Sequence, residues 1–195
     1  MKLRSIGVLA ASGVVALAAG IALHAAVAAV QDDGGFPMPK PGPEHAMLAK
    51  WAGTWDQSSK MRMSPDAPWE ESKGTETNRM GCGGFWLFSD SETTMMGQPM
   101  NGHMQLGFDQ FKNKFVGTWV DSFGSYLTVM EGTWDEKTKT LTMHSDMLDP
   151  MSGKTIKVRM TTEHPAPGQS VFKMFMPGPD GKEFVSMEVG SKLRK

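Results

Sequence analysis

From Trp55 onward the chain alternates apolar and polar positions with a period of two, and turn residues interrupt it at short, even intervals. Leu141, Met143, Ser145 and Met147 fall on one face of such a segment, and Thr142, His144 and Asp146 on the other. Ile156, Val158 and Met160 oppose Lys157, Arg159 and Thr161. Phe172, Met174 and Met176 oppose Lys173, and Val185, Met187 and Val189 oppose Ser186 and Glu188. The run from Gly107 to Trp134 reads strand, turn, strand, turn, strand, with aromatic and β-branched residues between clusters of Asp, Lys, Asn and Gly. The pattern predicts strands over Trp55–Met63, Trp69–Met80, Phe85–Thr94, His103–Phe108, Phe115–Ser122, Tyr126–Trp134, Thr140–Met147, Thr155–Glu163, Ser170–Met176 and Glu183–Leu193. Gly81–Gly84 breaks the ladder, Met95–Gly102 reads as a loop, and the polar Trp69–Met80 segment reads as an exposed strand.

Connections this short permit antiparallel neighbours only. The fold class is therefore all-β: an up-and-down meander of about ten strands. Such a sheet hides its apolar face and removes its edges by closing into a barrel. One short helix precedes it over Glu44–Ala52, with Pro43 at its start, Gly53 at its stop, and Met47, Leu48 and Trp51 on one face as a plug.

The N-terminus follows another grammar. Lys2 and Arg4 precede an apolar run from Ile6 to Leu23, and Ala26-Val27-Ala28 fits a small-residue cleavage site. Residues 1–28 are thus expected to be a signal peptide, 29–43 a flexible linker rich in Gly, Pro and Asp, and 44–195 the barrel domain. The expected address is periplasmic or extracellular, with no transmembrane segment in the mature chain. Without Lys2 and Arg4, the 20 basic residues fall further below the 21 acidic ones, so neither a nucleic-acid footprint nor a polybasic membrane patch is present. Cys82 is the single cysteine, so the fold is held without an internal disulfide. In GCGG it reads as a small residue at a crowded turn, and a thiolate nucleophile would need a base that the sequence does not place.

Gly53-Thr54-Trp55, after a short helix and opening the first strand, resembles the G-x-W signature of lipocalins and the wider calycins. Further segments are GTETNRMGCGGFWL, MMGQPMNGHMQLGFDQFKNKFVGTWVDS, EGTWDEKTKTLTM and GPDGKEFVSMEV. With these, the stretch from Glu44 to about Val189 resembles a bacterial family catalogued as domain of unknown function 1579. The resemblance implies a calycin-like barrel and supplies no catalytic residue. It also implies a structural group of Gly53, Trp55 and a basic residue of the last strand, Lys192 or Arg194, with Arg194 taken as the partner. The last strand ends Gly190-Ser191-Lys192-Leu193-Arg194, without the aromatic expected there and with its Arg one position late.

Phe115, Gly117, Trp119 and Asp121 share one face by parity. If that face is inward, Phe115, Trp119, Met143, Met160, Met174 and Met187 line a lumen with Asp121 beside them. An apolar wall with a few polar groups suits a small hydrophobic or amphipathic ligand. The bland reading of Asp121 is that it starts the turn at Ser122-Phe123-Gly124. Two rivals are a structural or assembly barrel filled by its own side chains, and an enzyme using an inward carboxylate as acid or base. No cofactor is called for, and no nucleophile elbow or phosphate-binding loop occurs. The 18 methionines raise a further alternative, copper handling outside the cytoplasm: they are densest over Met95–Met104, where a loop could bring Met96, Met100 and His103 together. Against it stands ordinary core filling by Met. The histidines are scattered, without zinc spacing, and each reads as a surface residue by default. Oligomeric state is not legible.

Overall fold

The computed structural model describes residues 38–149 and 153–195, so the expected signal segment, most of the linker and the turn at 150–152 lie outside the described residues. Helix α1 (Pro43–Ala49) leads into ten strands. These are β1 (Gly53–Met61), β2 (Glu70–Gly81), β3 (Trp86–Met95), β4 (Gln98–Asp109), β5 (Lys114–Asp121), β6 (Thr128–Asp135), β7 (Thr140–Asp149), β8 (Lys154–Ala166), β9 (Gln169–Pro177) and β10 (Glu183–Leu193). Each pairs antiparallel with its sequence neighbours, and β1 pairs with β10, so the sheet is a closed barrel. No helix among the described residues is long and apolar enough to cross a membrane.

The two ends of the barrel differ. One carries α1 and the β2–β3, β4–β5, β6–β7 and β8–β9 connections, and the other carries the remaining loops. At the helix end the interior is tightly packed: Leu48, Leu87, Leu106, Phe115, Leu141 and Val158 are all buried. Full burial of side chains of this size stabilises by roughly 1.5–3 kcal/mol each. Gly53 sits where α1 turns into β1. With its φ of 126° and the Leu193 Cδ1 atom 2.7 Å from where its Cβ would lie, any other residue there would be strained. Trp55 beside it is 3% exposed and donates its indole N–H to the Trp51 carbonyl at 2.9 Å.

Methionines form a continuous inner band. Met61 of β1 is the cross-strand partner of Met187, Met187 of Met174, Met174 of Met160, and Met160 of Met143. Directly paired side chains on one face lie within about 4.5–5.5 Å at Cβ, so each methionine of the row neighbours the next. The band ends on Gly132, where any Cβ would collide with Met143 Sδ.

Three expectations are corrected. Met95–Gly102 is no loop: Met95 pairs with Gln98 across a two-residue turn in which Met96 and Gly97 both have positive φ, the geometry of a tight hairpin. The polar β2 is no exposed strand; it lies between β1 and β3, and its even-numbered residues face the interior. His45 is no surface residue but 1% exposed. Its Nδ1 accepts the Gly42 N–H at 2.9 Å, which leaves Nε2 to donate to the Phe108 carbonyl at 3.2 Å.

Candidate functional site

The alternation along each strand gives the lumen two unlike walls. On β4 to β9 the inward positions are mainly Met, Leu, Phe, Trp, Val and Ile: Met104, Phe115, Trp119, Met130, Met143, Ile156, Met160 and Met174 among them. On β1 to β3 they are mainly polar: Gln57, Ser59, Ser72, Glu76, Asn78, Ser89, Ser91 and Thr93. Gln57, Ser59, Ser72, Glu76 and Thr93 keep partial exposure although they face inward, as do Trp119, Met174 and Met187 on the apolar side. Packing is therefore complete at the helix end and looser toward the other. Trp55 is buried at the helix end of this interior.

Glu76 is the inward carboxylate of the polar wall. Its Oε2 accepts from Gln57 Nε2 at 3.1 Å and Ser91 Oγ at 3.3 Å, and its Oε1 accepts from Asn78 Nδ2 at 2.8 Å. Asn78 Nδ2 also donates to the Trp51 carbonyl at 3.2 Å, tying the network to the end of α1. Two buried polar atoms beside it have no partner, Asn78 Oδ1 and Ser89 Oγ. Asn78 and Ser89 are 7% and 0% exposed. A buried polar group left unsatisfied costs roughly 1–3 kcal/mol.

Phe115, Met143 and Met160 belong to the buried core; Trp119 and Met174 pack half-buried against it, and Met187 continues the methionine band. Asp121 stands beside Trp119 and also starts a turn. Its Oδ2 accepts the Trp119 indole N–H at 2.7 Å, and its Oδ1 accepts the Phe123 N–H at 2.9 Å, closing a turn. Asp121 thus fixes the ring and the loop, and both it and Glu76 are inward carboxylates whose hydrogen-bond partners are neutral.

Met96, Met100 and His103 do not come together. Met100 points inward and is 7% exposed, Met96 sits exposed at the hairpin tip, and His103 is on the outer face, 2.6 Å from Asp90. Among the described residues no group of three His, Cys, Asp or Glu could hold a metal ion. Arg194 is not packed on Trp55. It grips Asp56 Oδ1 on the outer face at 2.6 and 2.9 Å, and Trp55 has Leu193 as its cross-strand partner. The one-place displacement of the Arg puts it on the outward parity. Cys82 is exposed at φ 49°.

His164 is a half-buried ring that the sequence did not mark. It stacks on Trp51 with ring centroids 4.2 Å apart and lies 6.2 Å from Trp134. Burial lowers its pKa to about 4. A surface cavity of about 600 Å³ lies outside the barrel, lined by Val129, Glu131, His144, Asp146, Lys157, Arg159 and Glu183. Its charges neutralise one another, Lys157 on Asp146 and Arg159 on Glu183, while Glu131 takes Lys112 and Lys114.

The signal for the polar wall was available in the sequence. In a closed barrel no strand is an edge, so a long strand of Ser, Gly, Glu and Asn at alternate positions can only be a polar lining.

A family model described as "Protein of unknown function (DUF1579)" matches residues 40–192. No curated protein matches the sequence. Two solved structures share the fold. One is Rv2717c from M. tuberculosis, with a TM-score of 0.59 and 11% identity over 79% of this chain and 99% of that one. The other is the S-type phycobiliprotein lyase CPES from Guillardia theta, with a TM-score of 0.55 and 12% identity over 78% of this chain and 92% of that one.

Proposed function

For this chain, which belongs to the DUF1579 family, we propose that the barrel is exported and binds a small amphipathic molecule in its lumen. The division of the inward face carries the reading. One wall is apolar and rich in methionine, the other is polar with two orphaned buried groups, and side chains on both stay partly exposed. A barrel filled by its own core has no use for unsatisfied polar groups in its interior, whereas a binding site does. Methionine suits such a wall because its unbranched thioether adapts to a guest's shape. The shared fold with a protein titled a phycobiliprotein lyase is in keeping with a barrel that handles a small molecule. Export rests on Lys2, Arg4, the apolar run and Ala26-Val27-Ala28.

The test is native mass spectrometry of the protein taken from its own compartment, followed by titration with an apolar fluorescent probe. A bound small molecule is expected, with a mature N-terminus close to Ala29. Trp119→Ala should weaken probe binding, and the outward Thr118→Ala should leave it unchanged, both measured where the variants are folded. Equal binding by all three proteins would place the probe outside the lumen.

A further inference from the structure

The four residues at the centre of the polar wall form a square. Glu76 and Asn78 occupy alternate positions of β2, directly opposite Ser91 and Ser89 of β3. The Asn78 amide is oriented by its neighbours, since Nδ2 donates to both the Glu76 carboxylate and the Trp51 carbonyl. Turning the amide over would set its oxygen against two acceptors, so Oδ1 is the atom left facing outward from the pair. What the square offers a guest is therefore acceptors: Asn78 Oδ1, the Ser89 hydroxyl and the remaining lone pair of Glu76 Oε1.

The charge is one-sided as well. The partners of Glu76 are Gln57, Asn78 and Ser91, all neutral. Along the strands the cations Lys60, Lys73, Arg79, Lys114, Lys157, Arg159, Lys173 and Lys192 fall on outward parity, leaving Lys154 at the exposed start of β8 as the exception. Asp121 adds a second inward carboxylate on the same cross-strand row as Glu76, separated from it by Ser91 and Gly102. A half-buried carboxylate gains most from a cation that donates hydrogen bonds. The next residues on the Asn78–Ser89 row are Met104 and Trp119, an apolar surface beginning where the acceptors end.

We infer that the guest of the lumen carries a protonated amine, held by Glu76 with Asn78 and Ser89, while its apolar body lies along Met104 and Trp119. The inference rests on the lumen reading above and adds the class of ligand. Decylamine, decanol and decanoate share one tail and differ in head group, so they separate the two ideas. Each is titrated below its micelle concentration against the whole protein, with binding read by displacement of an apolar fluorescent probe. The amine is expected to bind at least about tenfold more tightly than the alcohol, as one charge-assisted hydrogen bond provides. Glu76→Gln should abolish that preference and leave decanol binding in place. Ser89→Ala removes an orphaned hydroxyl, so it should fold as well as the parent and cut the preference by about threefold or more. If Glu76→Gln fails to fold, Ser89→Ala decides alone: a reduced preference supports the amine site and an unchanged one overturns it. Equal binding of all three ligands, preference for decanoate, or a preference that survives folded Glu76→Gln would each overturn the inference and keep the lumen. Binding of none of them would remove the lumen reading itself.

Discussion

The indole of Trp119 occupies the space above Gly102: a Cβ placed on Gly102 would overlap Cη2 and Cζ2 of the ring. Gly102 is the direct cross-strand partner of Asp121, which holds the same indole by its N–H. The glycine and the carboxylate together set where the ring stands in the lumen. Gly102→Ala should push the indole off Asp121, shift Trp119 emission to the red and cost about 1–3 kcal/mol by overpacking. Denaturant melts, with Trp119→Phe as the background for assigning the fluorescence, check this. An unshifted emission would mean that the ring does not rest on Gly102.

Asp121 should matter to order more than to chemistry. Asp121→Ala frees the Trp119 N–H and opens the turn at Phe123, so a loss of about 1–3 kcal/mol is expected for two acceptor bonds. Asp121→Asn keeps one acceptor oxygen and should lie between. Chemical denaturation of the three proteins orders them, and Asn behaving as badly as Ala would point to a role for the charge itself.

His164 makes stability depend on pH. Its folded pKa lies at about 4, below the ordinary value of 6.5, because burial disfavours the charged ring. Between those values the unfolded chain binds the proton and the folded chain does not, so unfolding takes up a proton. The contribution is complete above pH about 6.5 and is lost as pH falls toward about 4. His164→Phe keeps a ring against Trp51 and should flatten that loss. The readout is the difference between variant and parent in denaturant midpoint at pH 7, 5.5 and 4.5, which cancels the carboxylates common to both. Parallel pH profiles would refute the assignment.

Oxidation should map the methionines by depth. Met63 and Met96 are 59% and 52% exposed, whereas Met100, Met143 and Met160 are 7%, 5% and 6% exposed. Brief peroxide treatment and peptide mass spectrometry should find sulfoxide first at Met63, Met96 and the still more exposed Met38, then at half-buried Met61 and Met187, and last at the buried three. Early oxidation of Met160 would mean that the band is open to solvent.

Much of this architecture could be read from the sequence. Period-two alternation and turn spacing gave ten strands and their closure, and parity gave the facing of Phe115, Trp119 and Asp121. Tertiary context hid the rest. Met96 and Gly97 can take positive φ, and that shrank an apparent eight-residue loop to a hairpin turn, extending β4 and sending Met100 and His103 to opposite faces. His45 looked like a helix-surface residue because nothing local reveals that Phe85 and Phe108 close over it, 5.2 and 6.1 Å away. Glu76 and Asn78 read as part of a strand facing water, because their polarity is local information while the closure that turns them inward is not.

Closure of the barrel also fixes the order in which its parts can become stable. Every strand finds a partner a short loop away, but the pairing of β1 with β10 must wait for the end of the chain, with Trp55 and Leu193 meeting across almost the whole domain. Joining ends so distant carries a loop entropy that neighbouring strands do not pay, and contacts of this range slow folding. Until the last strand arrives, β1 and β9 each present an open edge, the state most prone to pairing with another chain. A chain cut short of Glu183 should therefore behave as an aggregating sheet, and the seam between the first strand and the last is where the fold is completed.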